Sequence, residues 1–313
     1  MTAAHLLIVN PRSANGSTGR RWGVIERRLR RLLPPFDVVF TEKPGHAVEL
    51  ARGPALAYQV VVAVGGDGTI NEVVNGLATA EEVAAGRVSL GVIPRGTGSD
   101  FVRTVGIPHN LSAAARVLAQ GTLRRLDLGR VHFTGGDGRR LTRFFINEGE
   151  VGMGAAVSDA VNRASKRLGA VSFWLGILTT MVRYRDRRVT LRIDDGPPQR
   201  FVLNNMWVAN GRCSGGGMRS APRAKPDDGL LDVVVVRRAG PLRRVRTLLT
   251  LRSGRFAALP HVSYTRGRCI EVTASTPVPV EVEGELIGYT PAVFEVLPAA
   301  ISVVAPSTPL RKS

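Results

Sequence analysis

Residues 61–77 read VVAVGGDGTINEVVNGL, and the fold turns on how that run is punctuated. Apolar residues lead into a glycine turn, and Ile70, Val73, Val74 and Leu77 leave it at i, i+3, i+4 and i+7. That pattern predicts a buried strand followed at once by an amphipathic helix. The letters GGDG return at 135–138, in HFTGGDGRRL, where strand-like runs lie on both sides. Asp-Gly between two such runs predicts a solvent-facing hairpin turn. In the first copy, glycines let the backbone turn sharply and approach a ligand closely. The helix N-terminus behind them offers free N–H groups suited to phosphate. It is neither a Walker A loop nor a GxGxxG fingerprint. On this segment alone a plain strand–helix turn stays open as the competing reading. Asp67 beside a bare phosphate would repel it, so its position calls for a cation or a ribose in between.

Working outward, HLLIV (5–9), FDVVFT (36–41), QVVVAV (59–64) and VSLGVI (88–93) are short apolar strands separated by helical patterns. Trp22, Ile25, Leu29, Leu32 and Leu33 recur at helical spacing, and LSAAARVLAQG (111–121) ends on glycine. Buried strands alternating with helices predict a parallel, doubly wound α/β domain over 1–125. From about residue 122 the texture changes to short strands with turn signals, among them VTLRID, RFVLNNMWVAN, GLLDVVVV and CIEVTA. A mostly antiparallel, sandwich-like β domain is therefore expected over 126–305, with 306–313 as a tail and a last strand that can return to the first domain. Only 155–184 and PLRRVRTLLTLRSG (241–254) read as helical within it.

The charge is unusual. Of 313 residues, 43 are basic and 25 acidic, a net charge of +18, and all but four of the basic residues (Lys43, Lys166, Lys225, Lys312) are arginine. Such a field favours an anionic partner, although solubility alone is an equally good account of it. Nucleic acid is disfavoured, because aromatics are only 5% and no zinc-finger, basic-zipper or ribonucleoprotein pattern occurs. Cys213 and Cys269 stand far apart without a CxxC pair, which suits a reducing cytoplasm. No apolar run reaches the roughly 18 residues of a membrane span, and no secretory signal is expected from MTAAHLLIVNPRS.

A second loop of the same kind follows the next strand, in GVIPRGTGSDFVRTVGIP, with Gly96, Thr97, Gly98 and Asp100. Two adjacent strand ends with glycines and an acid line one crevice, the edge where open parallel sheets bind ligands. NPRSANGSTGRR after the first strand is a third candidate, with Arg20 and Arg21. Two features bear on a partner. VSFWLGILTTMVRYRDRR joins an apolar helix to Arg183, Arg185, Arg187 and Arg188, which reads as a lipid-facing surface or, preferably, as a core helix with solvated arginines. ANGRCSGGGMRSAPRA (209–224) is glycine-rich and basic, and is expected to be a mobile loop near the site.

NPRSANG, VVAVGGDGTINEVVNGL, LGVIPRGTGSDFVRTVGIP, NEGEVGMGA, APRAKPDDGLLDVVVV and VEVEGELIG occur in that order between residues 5 and 305. In this the chain resembles the diacylglycerol kinase catalytic-domain superfamily, and within it the soluble bacterial lipid kinases. The resemblance implies a nucleotide-binding domain, a β domain and an active site in the cleft between them. It implies ATP and Mg²⁺ as cofactors and a lipid acceptor, diacylglycerol-like by default, with phosphatidylglycerol or a sphingoid base as alternatives. It further implies that Gly65, Gly66, Asp67, Gly68, Thr69, Asn71 and Glu72 serve the ATP phosphates, with Thr41, Gly96 and Thr97 as further nucleotide contacts and Asn10 as a phosphate- or adenine-side wall. Glu285 corresponds to the general base, with Asp67 anchoring metal or nucleotide, and Glu283 stands where the family places a residue of the cofactor site. Asp228 falls where relatives hold a structural Mg²⁺ with neighbouring carbonyls, here those of Lys225 and Leu230. Read on its residues alone, the EGE at 283–285 is better taken as a solvated hairpin turn. Two departures stand out: Ser99 where the family has Asn, and Glu283 where it has Asp. A kinase of NAD or a catalytically silent nucleotide- or membrane-binding module are the other readings. A cytoplasmic protein with peripheral contact to an anionic membrane is expected, with room for a homodimer.

Overall fold

The computed structural model describes residues 4–163, 179–180 and 182–307. Most of the apolar segment expected to face lipid or core, 168–182, and the last residues of the tail lie outside them. The chain forms two compact units, 1–128 with 298–313, and 129–297. Among the described residues no helix is long and apolar enough to cross a membrane.

In the first unit, β1 (His5–Val9), β2 (Phe36–Phe40), β3 (Val60–Gly65) and β4 (Ser89–Pro94) pair in parallel in the order β2-β1-β3-β4. The short α1 (Ser17–Arg20) and α2 (Trp22–Arg30) follow β1, α3 (His46–Ala51) follows β2, and α4 (Asp67–Leu77) and the short α5 (Glu81–Ala84) follow β3. After β4 come α6 (Asp100–Val105) and α7 (Leu111–Gln120). α3 packs on α4 and α2 on α7. With right-handed crossovers, a chain that moves one way from β1 to β2 and the other way from β2 to β3 puts those pairs on opposite faces. The sheet is therefore doubly wound, and its direction reverses between β1 and β3. β1, β3 and β4 are buried on both sides, which is why they read as near-continuous apolar runs, whereas β2 at the sheet edge is half exposed. β5 (Thr122–Thr134) leads out of this unit. β14 (Glu285–Ala305) leads back, and its Ser302 and Val303 pair in parallel with Ser89 and Leu90 of β4.

In the second unit, β6 (Arg140–Phe145) pairs antiparallel with β5, Thr134 opposite Arg140, so Gly135–Arg139 is a hairpin turn. β7 (Glu148–Gly152), followed by α8 (Met153–Arg163), and β8 (Arg187–Ile193), β9 (Gln199–Ala209) and β10 (Leu231–Arg237) come next. After α9 (Pro241–Leu251) come β11 (Val262–Gly267), β12 (Cys269–Ala274) and β13 (Pro279–Val282). All the pairings among these strands are antiparallel. β7, β9, β8, β12, β14 and β13 pair in a closed cycle, with β13 returning to β7. A bulge at Asn204 in the β9–β10 ladder shifts the alternation, so Leu203, Met206 and Val208 all face one core. On the opposite face Trp207, Val234 and Val236 meet Leu251 of α9 and Phe256. The stretch 209–224 is anchored rather than free: Ser220, Ala221 and Ala224 are fully buried, and Ser214 and Met218 form a β-bridge.

Candidate functional site

The polar cleft of the first unit, about 370 Å³, opens where the strand order reverses. Its lining comes from the loops after β1, β3 and β4: Asn10, Ser13–Asn15, Gly66–Thr69, Glu72 and Arg95–Gly98. The glycines explain how these loops meet. A Cβ at Gly96 would lie 2.5 Å from the Cα of Gly66, so the two turns touch backbone to backbone. A Cβ at Gly98 would come within 2.7 Å of Asp67 Oδ2, and one at Gly65 would overlap Thr69. A Cβ at Gly68, by contrast, would meet nothing within 4 Å.

Asp67 ties the two turns together. Its Oδ2 accepts the N–H of Ser99 at 2.6 Å and its Oδ1 that of Phe101 at 3.3 Å, at the start of α6. Burial, and secondarily the neighbouring Asp100, raise its pKa against those backbone donors. Asn10 Nδ2 donates to Thr69 Oγ1 at 3.0 Å, fixing the first loop to the second. Glu72 accepts from the N–H groups of Gly45 and Ala47 at 3.0 and 3.1 Å and so holds the entry to α3. Thr41, whose N–H donates to Val9, sits at the same strand edge but does not line the cleft. Gly65 and Asn71 lie beneath it, Asn71 bonded to Asn75 in α4. Arg95 is the residue that the sequence reading passed over. Its guanidinium reaches Thr18 and Ser17 across the cleft wall at 3.4 and 3.3 Å and places a fixed cation beside the glycine turns. Its position between a strand end and Gly-x-Gly was the available signal.

In the second unit Glu283 and Gly284, both at positive φ (53° and 86°), form the two-residue turn between β13 and β14. The Glu283 carboxylate accepts the N–H groups of Ile146 at 3.0 Å and Asn147 at 2.7 Å. A left-handed position favours Asp or Asn over Glu, and this double amide clamp is what Glu283 supplies in return. Glu285 is 65% exposed and paired with Arg143 at 3.0 Å. Asp228 pairs with Arg266 at 3.2 Å through Oδ2, while its buried Oδ1 has no hydrogen-bond partner. An orphaned carboxylate oxygen fits a cation, and Mg²⁺ needs few protein ligands. Among the described residues no group of three or more His, Cys, Asp or Glu is arranged to hold a metal.

The second unit also contains an apolar cavity of about 250 Å³ between β7, β9, α8 and α9, walled by Met153, Val157, Trp207, Met218, Leu248 and Leu251. Glu150 and Glu281 lie at its polar end, directly opposite each other on β7 and β13. Glu281 accepts from Ser158 Oγ at 2.8 Å and from Gly284 N–H at 2.6 Å, while Asn205 donates to Glu150. Two carboxylates cannot both stay charged there. Burial first, then the adjacent Glu281, push the Glu150 pKa well above its ordinary value. Glu150 is therefore the protonated partner. Gly154 is required beside it, because a Cβ there would overlap the Glu150 carboxyl. No strand pattern reveals this pair, since residues 150 and 281 meet only through register.

Residues 4–131 match the diacylglycerol kinase catalytic domain, and residues 149–305 match the YegS C-terminal NAD kinase beta sandwich-like domain. A protein named diacylglycerol kinase from Staphylococcus saprophyticus is 31% identical over 96% of this chain and 95% of its own length. The chain belongs to the diacylglycerol kinase family. It is a lipid kinase. "Probable lipid kinase YegS-like" of Chromohalobacter salexigens is 32% identical over 89% of this chain and 86% of its own. A diacylglycerol kinase crystal structure from Bacillus anthracis str. Sterne shares the fold, with a TM-score of 0.71 at 22% identity, covering 99% of this chain and all of that one. The first unit thus holds a polar cleft under the strand-order reversal, and the second an apolar cavity with two carboxyl groups at one end.

Proposed function

We propose that this chain transfers the γ-phosphoryl group of ATP, with Mg²⁺, to the hydroxyl of a diacylglycerol-like lipid. The observation that carries the nucleotide half is the backbone contact of Gly66 with Gly96, which leaves Gly68, Thr97 and Arg95 lining one polar cleft at the head of α4. Such a cleft binds phosphate through helix N–H groups and a fixed cation. The buried apolar cavity, with carboxyl groups at its polar end, supports an amphiphilic acceptor.

Phosphoryl transfer asks for positioning and charge neutralisation more than covalent help. Mg²⁺ would neutralise charge on the phosphates. The residues divide the remaining work. The Gly66–Thr69 backbone and Arg95 hold the phosphates, and Asp67 keeps the two glycine turns together. Glu285 takes the proton from the acceptor hydroxyl as that oxygen bonds to the γ-phosphorus and the bond from phosphorus to the bridging oxygen breaks, with ADP as the leaving group. The exposed Glu285–Arg143 pair opens at little cost, since exposed ion pairs contribute about 1 kcal/mol or less. The Asp228 turn is the place for a structural cation.

The test offers radiolabelled ATP and Mg²⁺ with diacylglycerol in mixed vesicles, with phosphatidylglycerol or a sphingoid base, and separately with NAD. Label in the organic phase with diacylglycerol supports the proposal, and label with another lipid redirects the acceptor. Label on NAD, or none while ATP still binds, overturns it. Glu285→Gln is expected to lower kcat about 100-fold or more with ATP binding intact. Full activity in that variant removes Glu285 from the base role.

A further inference from the structure

Helix α9 has two apolar faces, and the fold covers only one. Thr247 and Leu251 are buried, and Leu248 joins them along the cavity. Arg244 anchors that face through an ion pair of 2.6 Å with Asp186, both side chains at or below 10% exposure. On the other face Leu242 is 87%, Leu249 76% and Val245 45% exposed. At i, i+3 and i+7 they form one stripe along the helix. Arg243 and Arg246 are exposed beside it, and the helix carries no acidic residue.

A lone exposed leucine is ordinary, but an aligned apolar stripe edged by arginines is the pattern of a helix lying in a bilayer interface. We propose that the outer face of α9 docks the protein on an anionic phospholipid bilayer, with Leu242, Val245 and Leu249 at the level of the first acyl carbons and Arg243 and Arg246 on headgroup phosphates. Charge complementarity selects that occupant, since the chain carries +18 overall. Continuity supports it: the helix that meets the bilayer on one side walls the apolar cavity on the other, so a lipid leaving the membrane has one helix to pass. This docking rests on the lipid-acceptor reading for its purpose, but not for its test.

Flotation of the full chain with phosphatidylglycerol–phosphatidylcholine vesicles, and with phosphatidylcholine vesicles alone, reads the docking without catalysis. Binding to the anionic vesicles is expected, weakening as salt rises. Leu242→Ala/Leu249→Ala should lower the partition coefficient tenfold or more at an unchanged melting temperature. Arg243→Gln/Arg246→Gln should lower it about fivefold per arginine and flatten the salt dependence. Both variants should phosphorylate a short-chain diacylglycerol, dispersed as monomers, as fast as the wild type. Unchanged vesicle binding in both variants overturns the proposal. So does equal binding to neutral vesicles, a dimer that the leucine substitutions split in the absence of lipid, or loss of activity on the monomeric acceptor. If the wild type binds vesicles but phosphorylates no acceptor, the kinase reading fails while the docking stands.

Discussion

At the scale of single residues, the glycines divide by the space around them. Gly66 and Gly96 are glycine because two backbones touch, whereas Gly68 faces open space. Gly96→Ala should therefore push the loops apart, costing about 1–3 kcal/mol of stability and most of the ATP affinity. Gly68→Ala should leave the melting temperature nearly unchanged and disturb only nucleotide binding. Thermal unfolding and ATP titration of the two variants check this, and equal destabilisation would contradict it. The sequence announced a glycine loop through the strand before it and the helix after it. It did not say which glycines meet each other, because that depends on the distance between two turns some thirty residues apart. Arg95 went unread for a similar reason: an arginine after a strand is fixed in the cleft wall only when the segment after β1 closes on it, through Ser17 and Thr18.

Elements show the same division. β1, the helical face of α4, the 135–138 turn and the change to antiparallel strands follow from periodicity and turn chemistry, which act over a few residues. β7 is less legible, since EGEVG carries two glutamates and two glycines yet is wholly buried. Its burial comes from lying between β9 and β13, a register no local pattern encodes. That register makes Glu150 and Glu281 cross-strand neighbours, a placement that destabilises when both are charged. The folded state holds Glu150 protonated well above the ordinary value of 4.5. Its neutral form therefore adds stability below that value, and the contribution is lost as pH rises from there through the raised folded value. The slope for one proton is about 1.4 kcal/mol per pH unit in that window. Glu150→Gln should remove this slope and make the protein more stable than the wild type at alkaline pH, measured by chemical denaturation across pH. A variant whose stability still fell with the same slope would show that another group carries it.

For the whole molecule, the two units are not consecutive in sequence. The chain leaves the first unit through β5 and returns to it at Pro298, where Ser302 pairs with Ser89, Ala299 N–H bonds Asp127 at 2.7 Å and Arg125 reaches Ser302 at 3.4 Å. No single cut separates the molecule into two self-sufficient pieces. A fragment ending at residue 128 would present the unpaired edge of the apolar strand β4 to other copies, an invitation to strand pairing between molecules. It should aggregate, and a peptide spanning 298–313 supplied in trans should suppress this, as light scattering would show. A soluble, monomeric fragment would deny the returning strand that role. The first unit is thus completed by a segment translated long after the rest of it: until residues 298–305 emerge from the ribosome, β4 must wait with one edge bare, a dependence that couples the folding of the first unit to the synthesis of the second.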